Sequence, residues 1–273
     1  MTSLPADVLI DIPQRTIVML DFDDTICPTS FLQLLRYFEV IPKSAQSAQS
    51  TGTTHSNASL VAKQQPDCTA DTKTTVGDGF QFRTVPPEHH SLFDRIESAI
   101  EGFLLAVMER GEVHLVTNAD PVWVRGVMHQ FFPRSHTLLS QIPLHAARVP
   151  FTKSKIQLPM NSIWKYETFT RVLDEAGTRE QIDRIVAVGD TRNDTEAIVC
   201  AATICAPQAE LVVVQWQQQP SIEQFVYQLQ NATEHVDLLF KTYKSGLYSS
   251  QTVKVDAATA TAPQTNCQGP LSL

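Results

Sequence analysis

Glycine, cysteine and long apolar runs are all scarce in this sequence, and each shortage excludes a class of protein. The 273 residues include 10 glycines, too few for a collagen-like chain or a glycine-rich linker. The five cysteines form no C-x-x-C pair, so neither a disulfide framework nor a thiolate zinc site is expected. No stretch approaches the roughly 20 apolar residues of a membrane span, and the first residues lack the basic start and apolar run of a signal peptide. We therefore predict a cytoplasmic protein without a membrane partner.

Basic residues are also in the minority. The chain has 21 lysines and arginines against 29 acidic residues, which gives a formal net charge of -8. A general nucleic-acid binder needs a basic surface that displaces counterions from the phosphates. We therefore expect no nucleic-acid partner, although a local basic pocket for one small phosphate is compatible with this charge.

Large apolar side chains are nearly missing from two stretches, 43–79 and 249–273, which are rich in small and polar residues. Such a composition buries too little surface to offset the entropy of ordering the chain. We predict that 43–79 is a disordered insert within a single domain spanning 1–248, and that 249–273 is a disordered tail. The partners of the insert are left open.

The rest of the chain alternates short apolar runs with segments of helical periodicity. The expected strands are 16–21, 112–117, a segment within 138–144, 184–190 and 210–216; the expected helices are 91–110, one that opens at Asp120 and Pro121, 164–176 and one capped by Ser221 and Gln224. Near-continuous apolar strands separated by helices indicate a parallel sheet covered on both faces. The predicted fold class is therefore α/β, with a Rossmann-like sheet.

Polar residues end three of the predicted strands: Asp21, Thr117 and Asp190. Ligands of parallel α/β sheets bind beyond the carboxyl ends of the strands, so chemistry is expected at these positions. Asp21 opens the acidic run DFDDT at 21–25. A carboxylate at the end of a buried strand is unfavourable unless it is paired or binds a metal.

Four carboxylates are candidates to meet at this edge: Asp21, Asp23, Asp190 and Asp194. Carboxylates about 4 Å apart repel by roughly 4 kcal/mol at an effective dielectric of 20, so a converging cluster implies a divalent cation. Ligands that are all oxygen select Mg²⁺, for which Mn²⁺ can substitute, over zinc. Lys165, at the start of a predicted helix, would add a positive charge. A metal, a lysine and a hydroxyl around one carboxylate suit phosphoryl transfer.

The order of these motifs resembles the haloacid dehalogenase (HAD) superfamily. The run D-x-D-x-T at 21–25 comes first, followed by a strand that ends in Thr117, then Lys165, and then G-D-x-x-x-D at 189–194. The resemblance covers about 16–216 without the insert. It implies a phosphatase that depends on Mg²⁺ and hydrolyses a phosphate monoester through an aspartyl-phosphate. Asp23 points to phosphate esters, because branches that act on carbon–halogen bonds lack an acid two residues after the nucleophile.

The resemblance also implies a role for each residue of the reaction. Asp21 would be the nucleophile, and Asp23 would be the general acid for the leaving oxygen and then the base for water. Thr117, Asn118 and Lys165 would bind the phosphoryl group of the substrate, and Thr117 and Lys165 would also be catalytic.

For the metal, the resemblance implies ligands from two motifs. Asp21 and Asp190 would hold Mg²⁺ together with the backbone carbonyl of Asp23, and Asp194 is a further candidate ligand. The chemistry is consistent with these assignments. A carboxylate is a poor nucleophile toward a phosphate dianion because like charges repel, and Mg²⁺ with Lys165 would remove that barrier.

Two intervals between the motifs are long enough to hold a lid. The first is expected to contain one apolar helix over 31–40 followed by the insert, and the second contains the loop 150–163. Neither resembles an independent cap domain, so we expect an open or minimally lidded site, which by the resemblance to the HAD superfamily implies larger phosphorylated substrates. The alternative is a lid formed jointly by helix 31–40 and loop 150–163.

Three alternative functions stay open. A HAD-type phosphotransferase or phosphomutase would use the same aspartyl-phosphate. A signalling receiver domain also combines acids, Thr, Lys and Mg²⁺, but it places its acids on the first and third strands, whereas the acids here end the first and fourth. The third alternative is a non-catalytic phosphate-binding or scaffold protein on the same fold, whose insert recruits partners.

Other conspicuous residues are assigned to packing. Trp123, Phe131 and Phe132 are expected in the core. The histidines, including His114 and His145, show no metal-ligand spacing, and His114 is expected to be a strand residue beneath a helix.

Overall fold

Parallel strand pairing organises the part of the chain that this computed structural model describes, residues 15–40, 73–76, 80–147, 160–240 and 251–254. In chain order the strands are β1 (Thr16–Leu20), β2 (Phe38–Val40), β3 (Lys73–Val76), β4 (Phe80–Arg83), β5 (Glu112–Thr117), β6 (Leu144–Ala146), β7 (Arg184–Gly189), β8 (Glu210–Gln215) and β9 (Gln251–Lys254). Six of them form one sheet in the order β6-β5-β1-β7-β8-β9, and each neighbouring pair is parallel. β1 lies between β5 and β7, so the residues that follow β1 are flanked by the carboxyl-terminal ends of these two strands.

Helices cover both faces of this sheet. They are α1 (Thr29–Leu34), α2 (His90–Met108), α3 (Pro121–Phe131), α4 (Pro133–Leu139), α5 (Met160–Arg179), α6 (Arg192–Cys205), α7 (Ile222–Glu234) and α8 (Val236–Phe240), with a 3₁₀ turn at Pro87–His89 before α2. Side chains of α2, α3 and α7 contribute to one buried core, and side chains of α5 and α6 contribute to a second. This arrangement confirms the predicted α/β class and is consistent with a Rossmann-like fold.

The alternation of side chains along β1 links the two cores. Val18 and Leu20 belong to the first core, whereas Ile17 and Met19 belong to the second. Successive side chains of a strand point to opposite faces, and all five residues of β1 are buried. A strand buried on both faces favours apolar side chains at successive positions, which is why the sequence shows the apolar run 17–20 that stops at Asp21.

Local capping chemistry starts two helices where the sequence predicts them. The Asp120 carboxylate accepts the N–H of Val122 at 2.7 Å, and Pro121 is the first residue of α3. Ser221 and Gln224 form the reciprocal capping box expected before α7. Both predictions are confirmed. They could be made from the sequence because each cap joins residues only two or three positions apart.

The helix expected over 31–40 is present only as far as Leu34, and the prediction is wrong for the remaining residues, of which 38–40 form a strand of a small antiparallel sheet. α1 ends at Leu34, after which Arg36 adopts a left-handed φ of 54°. The N–H of Tyr37 bonds back to the carbonyl of Leu32 at 2.9 Å, which closes the helix end. The chain then forms β2, and β4 pairs with β2 on one side and β3 on the other. Apolar spacing is typical of a helix here, but the reversal at Arg36 turns the later residues into a strand.

Two strands lie in stretches that were predicted to be disordered. β3 lies within 43–79 and pairs with β4, and β9 lies within 249–273 and pairs with β8. The prediction of disorder is wrong for these eight residues, because a neighbouring strand supplies backbone hydrogen bonds that composition does not reveal. The rest of the two stretches lies outside the described residues.

The strand expected within 138–144 begins later than predicted. Pro133–Leu139 form α4, and β6 starts at Leu144. Of the loop 150–163, the part from 160 onward is the first turn of α5, and 150–159 lies outside the described residues. None of the helices within the described ranges combines the length and the apolarity that crossing a membrane requires.

Candidate functional site

Three carboxylates meet at the carboxyl-terminal edge of the parallel sheet. Asp21 directly follows β1, and its N–H donates to the carbonyl of Val188 in β7 at 2.9 Å. Asp190 directly follows β7, and Asp194 lies in the first turn of α6. One carboxylate oxygen from each of these three residues lies within 4.8 Å of the others, and all three residues are buried. Three of the four acids expected at this edge therefore come together.

Lys165 supplies the positive charge of this carboxylate cluster. Its side chain, 4% exposed, extends from α5 and places Nζ 2.6 Å from Asp21 Oδ1. The same ammonium group donates to Asp194 Oδ1. A lysine buried to this degree needs charged partners, because an unpaired ammonium group is strongly disfavoured away from water. The predicted place of Lys165 at the site is thus supported by two ion pairs.

A contact that the sequence analysis did not identify fixes α5 against α6. Ser162 Oγ donates to Asn193 Oδ1 at 3.0 Å. Ser162 lies in the first turn of α5 and Asn193 in the first turn of α6, so their bond joins the two segments that carry Lys165 and Asp194. The two residues are 31 positions apart, and no local sequence signal links them.

Asp194 has a structural role in addition to its place in the cluster. Its Oδ2 accepts from Thr191 Oγ1 at 2.7 Å and from the Thr191 N–H at 3.2 Å, which completes a capping box at the start of α6. The carboxylate lies so close to the backbone that a Cβ added at Gly189 would be 2.9 Å from Asp194 Oδ2. Glycine is therefore required at 189 by the close approach of Asp194.

The electrostatics of the cluster favour an additional cation. Burial raises the pKa of Asp21 to about 7, with Asp194 adding to the shift and Lys165 opposing it. Burial together with the charges of Asp21 and Asp194 raises the pKa of Asp190 to about 8. Burial opposes the charge of Lys165, but Asp21 and Asp194 outweigh burial and raise its pKa. One lysine thus does not balance three buried carboxylates, and a divalent cation bound here would favour their ionised forms.

A tight turn separates the side chain of Asp23 from the cluster. The carbonyl of Phe22 accepts the N–H groups of Ile26 and Cys27, each at 2.9 Å. After this turn, Thr29 Oγ1 donates to Asp23 Oδ1 at 2.7 Å. Burial raises the pKa of Asp23, and the bond from Thr29 opposes the shift. The Asp23 carboxylate is not one of the three that converge, so its predicted contribution to the metal site remains that of its backbone carbonyl.

Asp24 is a buried acid to which the sequence analysis gave no role. It adopts a left-handed φ of 53°, a conformation that Asp tolerates better than most residues. Its carboxylate accepts the Ser30 N–H at 2.8 Å and the Ser30 hydroxyl at 2.5 Å. Asp24 therefore anchors the first turn of α1 and holds Thr29 beside Asp23.

Thr117 and Asn118 lie at the end of β5, the strand next to β1. Thr117 is fully buried, and its Oγ1 accepts the N–H of Ala119 at 2.9 Å. Asn118 Oδ1 is buried and has no hydrogen-bond partner among the residues that the structure describes. A buried polar atom without a partner is uncommon and is a candidate to contact a ligand. The role of both residues in binding substrate remains a prediction.

Away from this site, the sheet brings together two histidines that the spacing analysis did not connect. His114 Nδ1 in β5 lies 3.1 Å from His145 Nε2 in β6. His114 is a buried strand residue, as predicted. Burial lowers the pKa of His114 and Glu112 opposes the shift, whereas burial and the nearby His114 lower the pKa of His145 to about 4.

Protonation of this histidine pair is expected to destabilise the protein at acidic pH. The pKa of His145 falls from its ordinary 6.5 to about 4 on folding, so between these values the unfolded chain binds more protons than the folded one. Stability is therefore lost as the pH falls through this window. Between pH 7 and pH 4.5 the wild type should lose about 1 kcal/mol more unfolding free energy than His145→Gln. This figure allows for solvent screening, because His145 is partly exposed.

Urea denaturation at the two pH values measures this difference. His90→Gln, which changes an exposed histidine, serves as the matched control and should keep the wild-type pH dependence. An identical loss in wild type and His145→Gln would show that the pair does not sense pH.

The fold and the site together define an α/β protein with a lysine and three clustered carboxylates at the carboxyl-terminal edge of a parallel sheet. A fourth carboxylate, that of Asp23, is held separately beside the cluster. No family model, curated protein or solved structure matches this chain.

Proposed function

We propose that this protein is a Mg²⁺-dependent phosphatase of the haloacid dehalogenase type, which hydrolyses a phosphate monoester through an aspartyl-phosphate on Asp21. The observation that carries the proposal is the 2.6 Å contact between Lys165 Nζ and Asp21 Oδ1, at the edge where Asp190 and Asp194 also converge. A carboxylate that attacks a phosphate must be kept ionised and have cations nearby. Asp21 lies at the end of β1 in contact with the ammonium group of Lys165, and the charge of Lys165 opposes the rise that burial causes in the pKa of Asp21.

The residues of the chain account for each step of this reaction. Ionised Asp21 attacks phosphorus, so a bond from its oxygen to phosphorus forms while the bond to the leaving oxygen breaks. Asp23, held outside the cluster by Thr29, gives its proton to the leaving oxygen. It then takes a proton from the water that attacks the aspartyl-phosphate, which releases phosphate and restores Asp21. Thr117 lies on the neighbouring strand end, from which it would bind phosphoryl oxygens.

The donor set fits Mg²⁺, with Mn²⁺ as a substitute. Asp21, Asp190 and Asp194 offer carboxylate oxygens within 4.8 Å of one another, and hard oxygen ligands of this kind suit Mg²⁺. When bound, the ion would supply positive charge for the phosphoryl oxygens and would orient the substrate. The raised pKa of Asp190, which burial and neighbouring carboxylates cause, is consistent with a site that is completed by a cation.

Hydrolysis of para-nitrophenyl phosphate tests the proposal. With Mg²⁺ we expect steady release of phosphate, and EDTA should lower the rate by at least about 100-fold because the cation supplies several kcal/mol of transition-state stabilisation. Asp190→Asn should raise the Mg²⁺ concentration needed for half-maximal activity. The matched control is Asp237→Asn, which changes an acid with 64% side-chain exposure and should leave the Mg²⁺ response unchanged.

Two results would contradict this function. One is a rate that EDTA does not change, and the other is no phosphate release from folded protein together with no phosphoryl group trapped on Asp21. A phosphotransferase would give a different pattern, because its turnover would depend on an added alcohol or sugar acceptor rather than on water.

A further inference from the structure

Two histidines meet at one edge of the large sheet, on the face that α5 covers. His114 lies in β5 and His145 in the edge strand β6. Val116 pairs with His145 in register and belongs to the core that α5 helps to form. His114 is two residues before Val116 and therefore points to the same face. His114 Nδ1 and His145 Nε2 are 3.1 Å apart, although 31 positions separate the two residues in the sequence.

Both imidazole rings are neutral at pH 7. Burial lowers the pKa of His114, and burial with the neighbouring His114 lowers the pKa of His145 to about 4. A neutral imidazole has a proton on one ring nitrogen and a free lone pair on the other, which is the form that binds a metal. The two rings are thus in the correct ionisation state to act as ligands.

The carboxylate of Glu112 selects the tautomer of His114. Glu112 Oε1 lies 3.3 Å from His114 Nε2, which is an ion-pair distance rather than an aligned hydrogen bond. Arg15 and Arg179 donate to the same carboxylate at 3.1 and 2.7 Å and hold it in place. A proton on Nε2 is attracted to Glu112, whereas a lone pair there would face its negative charge. The free lone pair of His114 is therefore on Nδ1, the atom that faces His145.

We propose that His114 Nδ1 and His145 Nε2 together bind one divalent transition-metal ion of the zinc type at the edge formed by β5 and β6. Zinc–nitrogen bonds are about 2.0–2.1 Å long, so two ligand nitrogens at a tetrahedral angle lie about 3.3 Å apart, close to the separation here. A carboxylate commonly faces the second nitrogen of a metal-bound histidine, as Glu112 does. Imidazole suits Zn²⁺, Cu²⁺ and Ni²⁺ rather than Mg²⁺. This inference is independent of the proposed phosphatase function.

The ion would take the place of the proton that lies between the two rings. In the hydrogen-bonded pair, His145 Nε2 donates to the Nδ1 lone pair of His114. When the ion binds, His145 carries its proton on Nδ1 instead, and both facing nitrogens offer lone pairs while the rings tilt toward the ion. The positive charges of Arg171 and Arg179 near the pair are matched by the negative charges of Glu112 and Glu175.

Water would complete the coordination of this ion. Within the described residues, only Asp21, Asp190 and Asp194 form a group of three potential metal-ligand side chains with atoms within 4.8 Å of one another. The histidine pair therefore supplies two ligands and leaves the other positions open. An ion held in this way would tie the edge strand β6 to β5.

Calorimetric titration with Zn²⁺ in excess Mg²⁺, which competes for the acidic cluster, tests the proposal. Wild type should bind one Zn²⁺ that His145→Gln binds at least about 10-fold more weakly, since even groups that only support a ligand change metal affinity by about 10- to 100-fold. His90→Gln, which changes an exposed histidine, is the matched control and should bind as wild type does. Asp190→Asn should also keep this ion, which distinguishes it from one bound at the acidic cluster.

The ring nitrogens report on the site in wild-type protein, so the test does not depend on a variant that folds well. In long-range ¹H–¹⁵N spectra, one equivalent of Zn²⁺ should shift one histidine ring through Nδ1 and a second through Nε2. The ring of His90, identified by its loss in His90→Gln, should not respond. Equal zinc affinity in wild type and folded His145→Gln, or the lack of such a pair of responding rings, would overturn the proposal.

Discussion

Replacing Asp21 by Asn is expected to lower phosphatase turnover by at least about 1000-fold, because the loss of an essential nucleophile removes the covalent route. An amide does not form the acyl phosphate, yet it has nearly the same size and can still contact Lys165. The defect should therefore lie in kcat rather than in the folding of the site. Initial rates with para-nitrophenyl phosphate and saturating Mg²⁺ measure it, and acid-stable phosphoryl labelling of the protein should disappear as well.

The same variant should melt at a temperature equal to or above that of the wild type. Burial raises the pKa of Asp21 from an ordinary 3.8 to about 7, so the folded state disfavours the ionised form. For a carboxyl group with a raised pKa, stability is lost as the pH rises from the unfolded pKa through the folded one. Asn removes that unfavourable charge. Near-wild-type turnover in Asp21→Asn would exclude Asp21 as the nucleophile, and lost turnover with undiminished stability would separate chemistry from unfolding.

The edge of the sheet that carries the site could be predicted because buried parallel strands have a simple pattern. β5, β7 and β8 occupy almost the ranges expected from their apolar runs. A strand covered on both faces is mostly apolar, so a polar residue directly after a run of apolar ones indicates the carboxyl-terminal edge. The pattern located Asp21, Thr117 and Asp190 at one edge without any knowledge of the loops.

The small sheet could not be predicted because its pairing is not local. The register joins Phe38 to Phe82, and no short-range pattern connects residues so far apart. Strand preference depends mainly on neighbours across the sheet and on burial, which a single sequence does not give. The apolar spacing after Phe31 therefore predicted a helix where the chain turns at Arg36.

The contacts of the site also comprise local ones, which the sequence indicates, and long-range ones, which it does not. Asp194 lies four residues after Asp190 in a capping pattern, so its approach to the cluster is a local matter. Lys165 meets Asp21 from 144 residues away, so no local pattern connects the two, and the resemblance in motif order was the stronger reason to expect Lys165 at the site.

Replacing Lys165 by Met is expected to destabilise the protein by about 3–5 kcal/mol in EDTA, because removing one partner of a buried ion pair leaves uncompensated charge. The side chain of Lys165 is 4% exposed and contacts Asp21 and Asp194 directly. Methionine matches the aliphatic stem but removes the ammonium group. Asp21, Asp190 and Asp194 would then face one another without a cation. Urea denaturation at pH 7 measures the loss, and catalysis should fall as well.

A double variant distinguishes charge from packing as the cause of this loss. Asp21→Asn combined with Lys165→Met removes one carboxylate along with the ammonium group, so the double variant should be more stable than Lys165→Met alone. A packing defect caused by the shorter side chain would persist in the double variant, and the two stabilities would then be equal. Added Mg²⁺ should also stabilise Lys165→Met more than wild type, since a cation that binds the folded state raises its stability by mass action. If the single variant unfolds within about 0.5 kcal/mol of wild type in EDTA, the carboxylates are not ionised together and the site lacks the charge that the proposed chemistry requires.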